Sequence, residues 1–200
     1  MRTQLRIVAG ALRGRKLTFT VSPHLRPTPQ MVREALFSIL GDAVPDRPFY
    51  DIFAGTGVNG LEAISRGASS VTFVERDFRL SGDIDRYLKA FGVADSGRIM
   101  RADAYRWGEH WQAPDEPVNL FLSPPFADLE RRVDDLLQVI ADLQRKAHPG
   151  SVLVLQSERG VALGELPLRE QWEERRYGRN SLLIWVKDAE AALKERGQDL

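Results

Sequence analysis

The chain has 200 residues, no cysteine, and 28 basic against 28 acidic residues. That length suits one domain with a sizeable core, and the absence of cysteine excludes disulfides, a thiol nucleophile and cysteine metal sites. No apolar run is long enough to span a bilayer, the first residues lack the apolar segment of a secretory signal, and His24, His110 and His148 are too scattered for a zinc pattern. The expectation is a cytoplasmic monomer with no metal and no membrane contact.

The charge is unevenly spread. The first 33 residues carry seven cations (Arg2, Arg6, Arg13, Arg15, Lys16, Arg26 and Arg33) and no acid, leaving 21 basic against 28 acidic residues in the rest. A basic arm on an acidic body suggests a polyanion contact at one end. Within that arm, residues 5–9 and 16–21 predict two strands, turned through 10–15 into a hairpin. A two-stranded ribbon is marginal alone, so it must pack on the body or on a partner. Arg13, Arg15 and Lys16 crowd its loop, and phosphate oxygens are their natural counterpart.

Arg26-Pro27-Thr28-Pro29 is held extended by its prolines, with Thr28 a candidate cap for the helix that follows. Met31, Ala35, Leu36 and Ile39 recur at helical spacing, and Gly41 and Pro45 end that helix. Residues 49–60 read as a buried strand, a glycine turn and a helix start. Gly55, Gly57 and Gly60 spell G-x-G-x-x-G, and the helix runs on to Gly67. Glycine suits such a turn because it has no Cβ to oppose positive φ or a close ligand. A second strand, 70–74, ends on Glu75, about 20 residues past the first glycine, where an acid can hold a ribose diol. A dinucleotide and S-adenosylmethionine both satisfy this pattern, since both present an adenosine.

A helix over 78–91 and a third strand over 98–101 deliver Asp103. Asp51, Glu75 and Asp103 thus place one carboxylate just beyond each of three strand ends, suited to ribose hydroxyls, an adenine amine and an ammonium group. Asp103 alone could equally be a helix N-cap. A fourth strand, 118–122, ends in Ser123-Pro124-Pro125-Phe126, and this motif separates the two cofactors. Proline has no amide donor, so the backbone there offers only carbonyl acceptors. Ser123 and the carbonyl of Pro124 can take the two N–H bonds of an exocyclic amine, and Phe126 can stack on a base that has left its helix. That chemistry belongs to an amino-group methyltransferase. A helix over 130–146, a turn at 148–150, a strand over 151–156 and a hairpin of 171–177 with 181–186 about Gly178 complete the pattern. The tail from 188 to 200 is charged, helical or frayed, and carries no assigned function. The expected organisation is a basic hairpin over 1–24, a catalytic domain over 25–188 and a tail over 189–200.

Taken together, Arg13-Gly14-Arg15-Lys16-Leu17, Arg26-Pro27-Thr28, Val32-Arg33-Glu34, Leu36-Phe37, Asp51-Ile52-Phe53-Ala54-Gly55-Thr56-Gly57, Gly60-Leu61-Glu62-Ala63, Ser65-Arg66-Gly67-Ala68 and the Pro-Pro-Phe resemble the RsmD family from about residue 6 to residue 187. These are 16S ribosomal RNA guanine-N2 methyltransferases. The resemblance implies a Rossmann-like class I methyltransferase: a seven-stranded, mostly parallel sheet with a C-terminal antiparallel hairpin, plus the small N-terminal hairpin. It implies S-adenosylmethionine as cofactor, held by Asp51, Phe53, Gly55, Gly57, Glu75, Arg76, Asp103 and Ala104, with Arg26 and Thr28 closing over it. It implies catalysis at Ser123, Pro124, Pro125 and Phe126. It implies ribosomal RNA, in the small subunit or an assembly intermediate, gripped by Arg6, Arg13, Arg15 and Lys16. The chain departs from the family at Ser123, where an aspartate is usual. A hydroxyl accepts more weakly than a carboxylate. Three rivals follow: a DNA or other RNA methyltransferase acting on adenine N6 or cytosine N4, a catalytically weakened cofactor-binding RNA module in ribosome assembly, and, more distantly, a nicotinamide enzyme.

Overall fold

The computed structural model describes residues 2–20, 25–158 and 166–188. Val21, His24 and the tail over 189–200 lie outside the described residues. Seven strands make one twisted sheet: β3 (Pro48–Ile52), β4 (Ser70–Val74), β5 (Gly97–Met100), β6 (Asn119–Leu122), β7 (Val152–Glu158), β8 (Glu173–Tyr177) and β9 (Asn180–Val186). Their order is β5-β4-β3-β6-β7-β9-β8. The first five are parallel; β9 runs antiparallel to them, and β8, antiparallel to β9, points the same way as the first five. The chain leaves β3 towards β4 on one side and returns to β6 on the other. The cleft beyond the carboxyl ends of β3 and β6 is therefore the switch point, where ligands bind in open α/β sheets.

Side chains alternate along the strands and feed two cores. Phe49, Phe73 and Phe121 face one side with α1 (Gln30–Leu40), α2 (Val58–Ser65) and α3 (Phe78–Ala90). Ile52, Val74 and Leu122 face the other, against α4 (Ala104–His110), α5 (Asp128–Arg131) and α6 (Val133–Lys146). The central strands β6 and β7 are buried on both faces, so they read as apolar runs rather than as alternation, whereas the edge strand β5 is only partly covered.

The N-terminal hairpin pairs β1 (Arg2–Arg6) with β2 (Lys16–Thr20), Arg6 opposite Lys16. The first strand thus lies nearer the N-terminus than the expected 5–9. Residues 8 and 9 leave the ladder because a buried carboxylate takes their amides: Val8 N and Ala9 N donate to Glu62 at 2.8 and 3.0 Å. Further along, Ala11 N donates to the Ser65 carbonyl at 2.7 Å and Leu12 N to the Ser65 hydroxyl at 2.9 Å, and that hydroxyl donates to the Ala9 carbonyl. The Tyr87 hydroxyl accepts from Thr18 N and donates to Thr18 O, both at 2.7 Å. Ile7, Leu12 and Leu17 enter the core beneath α1 and α2. The ribbon is therefore bolted to the body.

Three more expectations are corrected, and one helix is added. Thr28 does not cap α1; the cap position is Pro29, without a side-chain bond, and the Thr28 hydroxyl is engaged elsewhere. The helix expected over 130–146 is broken at Arg132 (φ −133°, ψ 35°) into α5 and α6. Residues 104–110 form a helix that periodicity did not reveal. Asp51 lies inside β3 rather than beyond its end.

Candidate cofactor and base site

The glycine turn is built by two carboxylates. Asp51 is fully buried, and its Oδ2 accepts from Gly60 N at 2.9 Å, tying strand β3 to the first turn of α2. Glu75 accepts from Gly55 N (2.8 Å) through Oε2 and from Asp77 N (2.8 Å) through Oε1, so it joins the turn to the start of α3. Gly57 sits at φ 73°, the left-handed region that L side chains resist. Gly60 is different: it is helical, and a Cβ there would fall 2.2 Å from the Phe73 ring. The third glycine of the motif is needed for helix-to-sheet packing. Phe53 holds φ 64° without being glycine, and its ring meets Tyr105 edge-on at 5.2 Å.

Burial governs the electrostatics here. It pushes the Asp51 carboxyl from 3.8 up to about 7, against the Gly60 hydrogen bond, with the Glu75 charge adding to the rise. It raises Glu75 too, opposed by the amides of Asp77 and Gly55. Asp51 Oδ1 is buried with no partner among the described residues. A buried acceptor left open is costly, so a ligand donor is its natural complement. Asp103 caps α4 through Oδ1, which accepts from Tyr105 N and Arg106 N at 3.0 and 3.3 Å. Its Oδ2 faces Arg76 at 3.6 Å and Arg132 at 3.5 Å. Both roles weighed for Asp103, cap and member of a strand-end cluster, are thus open to one carboxylate. Ala104 is the buried first residue of α4.

On the other side of the cleft, Ser123 N donates to Ile52 O at 3.1 Å, which holds the Ser-Pro-Pro-Phe segment beside the glycine turn. Pro124 is buried, Pro125 exposed and Phe126 half-buried. The Arg26 guanidinium lies 5.9 Å from the centre of the Phe126 ring. The Thr28 hydroxyl donates to Gln156 Oε1 at 2.8 Å, and the Ser123 hydroxyl donates to the same oxygen at 3.2 Å. The extended N-terminal segment and the Ser-Pro-Pro-Phe loop therefore meet on one β7 side chain. Arg33, equally buried, donates to the carbonyls of Thr28 (3.0 Å) and Arg6 (2.8 Å), clasping this segment to the hairpin.

Arg6, Arg13, Arg15 and Lys16 are all exposed on the hairpin, and Arg15 lies 5.6 Å from the centre of the Phe91 ring. The structure thus gathers Arg26, Thr28, Asp51, Phe53, Gly55, Gly57, Glu75 and Ser123 around one cleft, with Arg76 and Asp103 paired at its β5 side. Sequence reasoning missed Asn59, Gln156 and Asn180 behind Ser123, and Tyr105, Asp128 and Arg132 near Asp103. For Gln156 a signal existed: a glutamine directly following the apolar run 152–155, in the same strand, is a buried polar group in need of partners. The Tyr105–Asp128 bond (2.8 Å) and the Arg132 guanidinium over Tyr105 (3.8 Å) left no such trace.

A family model described as "Conserved hypothetical protein 95" matches residues 5–186. The chain is 32% identical over 163 residues to "Putative rRNA methyltransferase YlbH" of Bacillus subtilis, covering 80% of this chain and 86% of that protein. It is 39% identical over 123 residues to "Ribosomal RNA small subunit methyltransferase D" of Escherichia coli, spanning 62% of this chain and 61% of that protein. Its backbone is similar to the structure described as "Putative methyltransferase yhhF" of Escherichia coli, with a TM-score of 0.74, 28% identity and coverage of 94% of this chain and 99% of that one. With a seven-stranded sheet of this order and a family match over nearly its whole length, the chain belongs to the RsmD family of methyltransferases.

Proposed function

We propose that this chain methylates the exocyclic N2 amine of a guanine in small-subunit ribosomal RNA. The coarser statement, an S-adenosylmethionine-dependent rRNA methyltransferase, is supported by its family. The observation that carries the finer reading is the convergence of Ser123 and Phe126 at the end of β6, directly beside the glycine turn that ends β3.

The residues present fit the cofactor. Asp51 Oδ1 is a buried acceptor without a partner, suited to an ammonium donor. Glu75 keeps lone pairs beyond its two backbone bonds, suited to ribose hydroxyls. When bound, the cofactor supplies an electrophilic methyl on sulfur. The protein's own part is orientation. The Ser123 hydroxyl oxygen and the Pro124 carbonyl accept the two N–H bonds of the amine, which draws the nitrogen lone pair out of conjugation with the ring. Phe126 stacks on the flipped base, and Arg26, beside the Phe126 ring, closes over the cofactor. Arg6, Arg13, Arg15 and Lys16 neutralise RNA phosphates, a contact that positions without reading sequence.

The test is transfer of labelled methyl to small ribosomal subunits from cells lacking this protein. N2-methylguanine in the nuclease digest is the expected product. Methyladenine or methylcytosine would replace guanine with another base. Tight S-adenosylhomocysteine binding without transfer to any RNA would replace the enzyme with a binding module.

A further inference from the structure

Behind Ser123 lies a directed chain of uncharged hydrogen bonds. Asn59 Nδ2 donates to Thr28 Oγ1 at 3.2 Å. Thr28 therefore keeps its own proton for Gln156 Oε1, at 2.8 Å. Ser123 Oγ donates to that same Oε1 at 3.2 Å. At the far end Gln156 Nε2 donates to Asn180 Oδ1 at 2.9 Å. Gln156 is 3% exposed. Both lone pairs of its carbonyl are filled by hydroxyl protons, and its amide nitrogen is anchored across to β9. The side chain cannot turn its NH2 towards Ser123 without placing donors against the Thr28 proton.

We propose that Gln156 is a positioning residue that makes Ser123 an obligate acceptor towards the substrate amine. A serine hydroxyl has one proton and two lone pairs. If the proton swings freely, it opposes the N–H bonds of the amine, or it donates to the amine nitrogen and occupies the lone pair that must attack. Gln156 removes both alternatives by holding the proton on its own carbonyl, so that Ser123 shows the amine only lone pairs. This gives the hydroxyl the acceptor-only character that a carboxylate has by nature. The nitrogen forms its new bond to carbon as the sulfur–carbon bond breaks, and it then loses one proton. Ser123, its own proton committed to Gln156, leaves that proton to water. The inference rests on the amino-methyltransferase reading above.

The experiment is single-turnover methyl transfer by the full chain to unmodified small subunits, with S-adenosylhomocysteine affinity measured in parallel. Gln156→Leu is expected to lower the transfer rate by about 10-fold or more, with cofactor affinity within about twofold. Gln156→Glu keeps an acceptor opposite Ser123 and is expected to recover the rate to within about threefold. In a Ser123→Asp background there is no hydroxyl proton to hold, so Gln156→Leu is expected to cost less than about twofold, a non-additive pair. Equal losses from Gln156→Leu in both backgrounds, or a change in KM with kcat unmoved, overturn the proposal and leave the methyltransferase reading standing. The hydrogen bond is also read without turnover: in the nitrogen-15-labelled protein, Ser123→Ala should move the Gln156 side-chain amide signals. Unmoved signals overturn the proposal. A wild-type chain that transfers no methyl to any base overturns the function and this role together, even with the amide signals moving as expected.

Discussion

The two sides of the cleft are held by opposite chemistry. On the β3–β4–β5 side every anchor is a carboxylate: Asp51 on Gly60, Glu75 on Gly55 and Asp77, Asp103 on the start of α4. On the β6–β7–β9 side, the anchors Ser123, Gln156 and Asn180, joined by Thr28 and Asn59, carry no charge. Buried carboxylates stay tunable by pH, because burial brings them towards neutrality. A network of hydroxyls and amides is blind to pH but depends on which atom donates. One side is suited to a cationic, hydroxyl-rich ligand, and the other to presenting an oriented acceptor to a neutral amine.

The comparison is broken most severely on the neutral side. Ser123→Ala removes the acceptor and should lower methyl transfer about 10²-fold while S-adenosylhomocysteine affinity stays within about twofold. Calorimetric titration beside single-turnover kinetics separates the two quantities. On the charged side the split reverses. Asp51→Asn can keep the bond to Gly60 N while losing the charge, and should weaken S-adenosylhomocysteine about 10–100-fold, the worth of a hydrogen bond to a charged group.

Acidity sharpens the same contrast. The folded protein holds a proton on Asp51 that the unfolded chain releases, between 3.8 and about 7. Stability from this group is therefore full below 3.8 and is lost as pH rises through about 7, with a slope of at most about 1.4 kcal/mol per pH unit. Cofactor affinity should run the opposite way and weaken as pH falls below about 7, since an ammonium prefers the ionised carboxylate. Denaturation and binding curves for the wild type, minus those for Asp51→Asn, isolate both slopes; two flat differences would remove Asp51 from cofactor binding. The smallest effect belongs to Thr28→Val. Two buried neutral bonds, to Gln156 and from Asn59, are lost at about 0.5 kcal/mol or more each, a melting shift of at least about 2–4 °C. That shift should be the same at pH 6 and pH 8.

Local signals fixed much of this. The glycine turn, the apolar parallel strands and the Ser-Pro-Pro-Phe corner are each written in consecutive residues, because each is a backbone requirement. The misplaced features all depend on distant partners. The first strand shifted because Glu62, 54 residues from Val8, takes that amide. Thr28 looked like a cap because its true partner, Gln156, is 128 residues away. Arg33 read only as a residue that packing could not explain, and its clasp on the carbonyls of Arg6 and Thr28 needed coordinates. Asp51, Glu75 and Asp103 are legible as a group from their spacing, but that the first two also shape the backbone they line depends on bonds to Gly60, Gly55 and Asp77 that spacing does not show.

The way the hairpin is bolted down sets an order on events during synthesis. Its amides wait for Glu62 and Ser65, which trail Ala9 and Leu12 by 53 positions, and for Tyr87, 69 positions behind Thr18. At roughly 5–20 residues per second, the arm emerges roughly 3–10 s before Glu62 does. A lone two-stranded ribbon is marginal in water, so the arm spends that interval as open, purely cationic chain beside a ribosome. Its closure then carries the entropic cost of long loops, which delays non-local contacts. The basic arm is made first and settles after the helices that receive it.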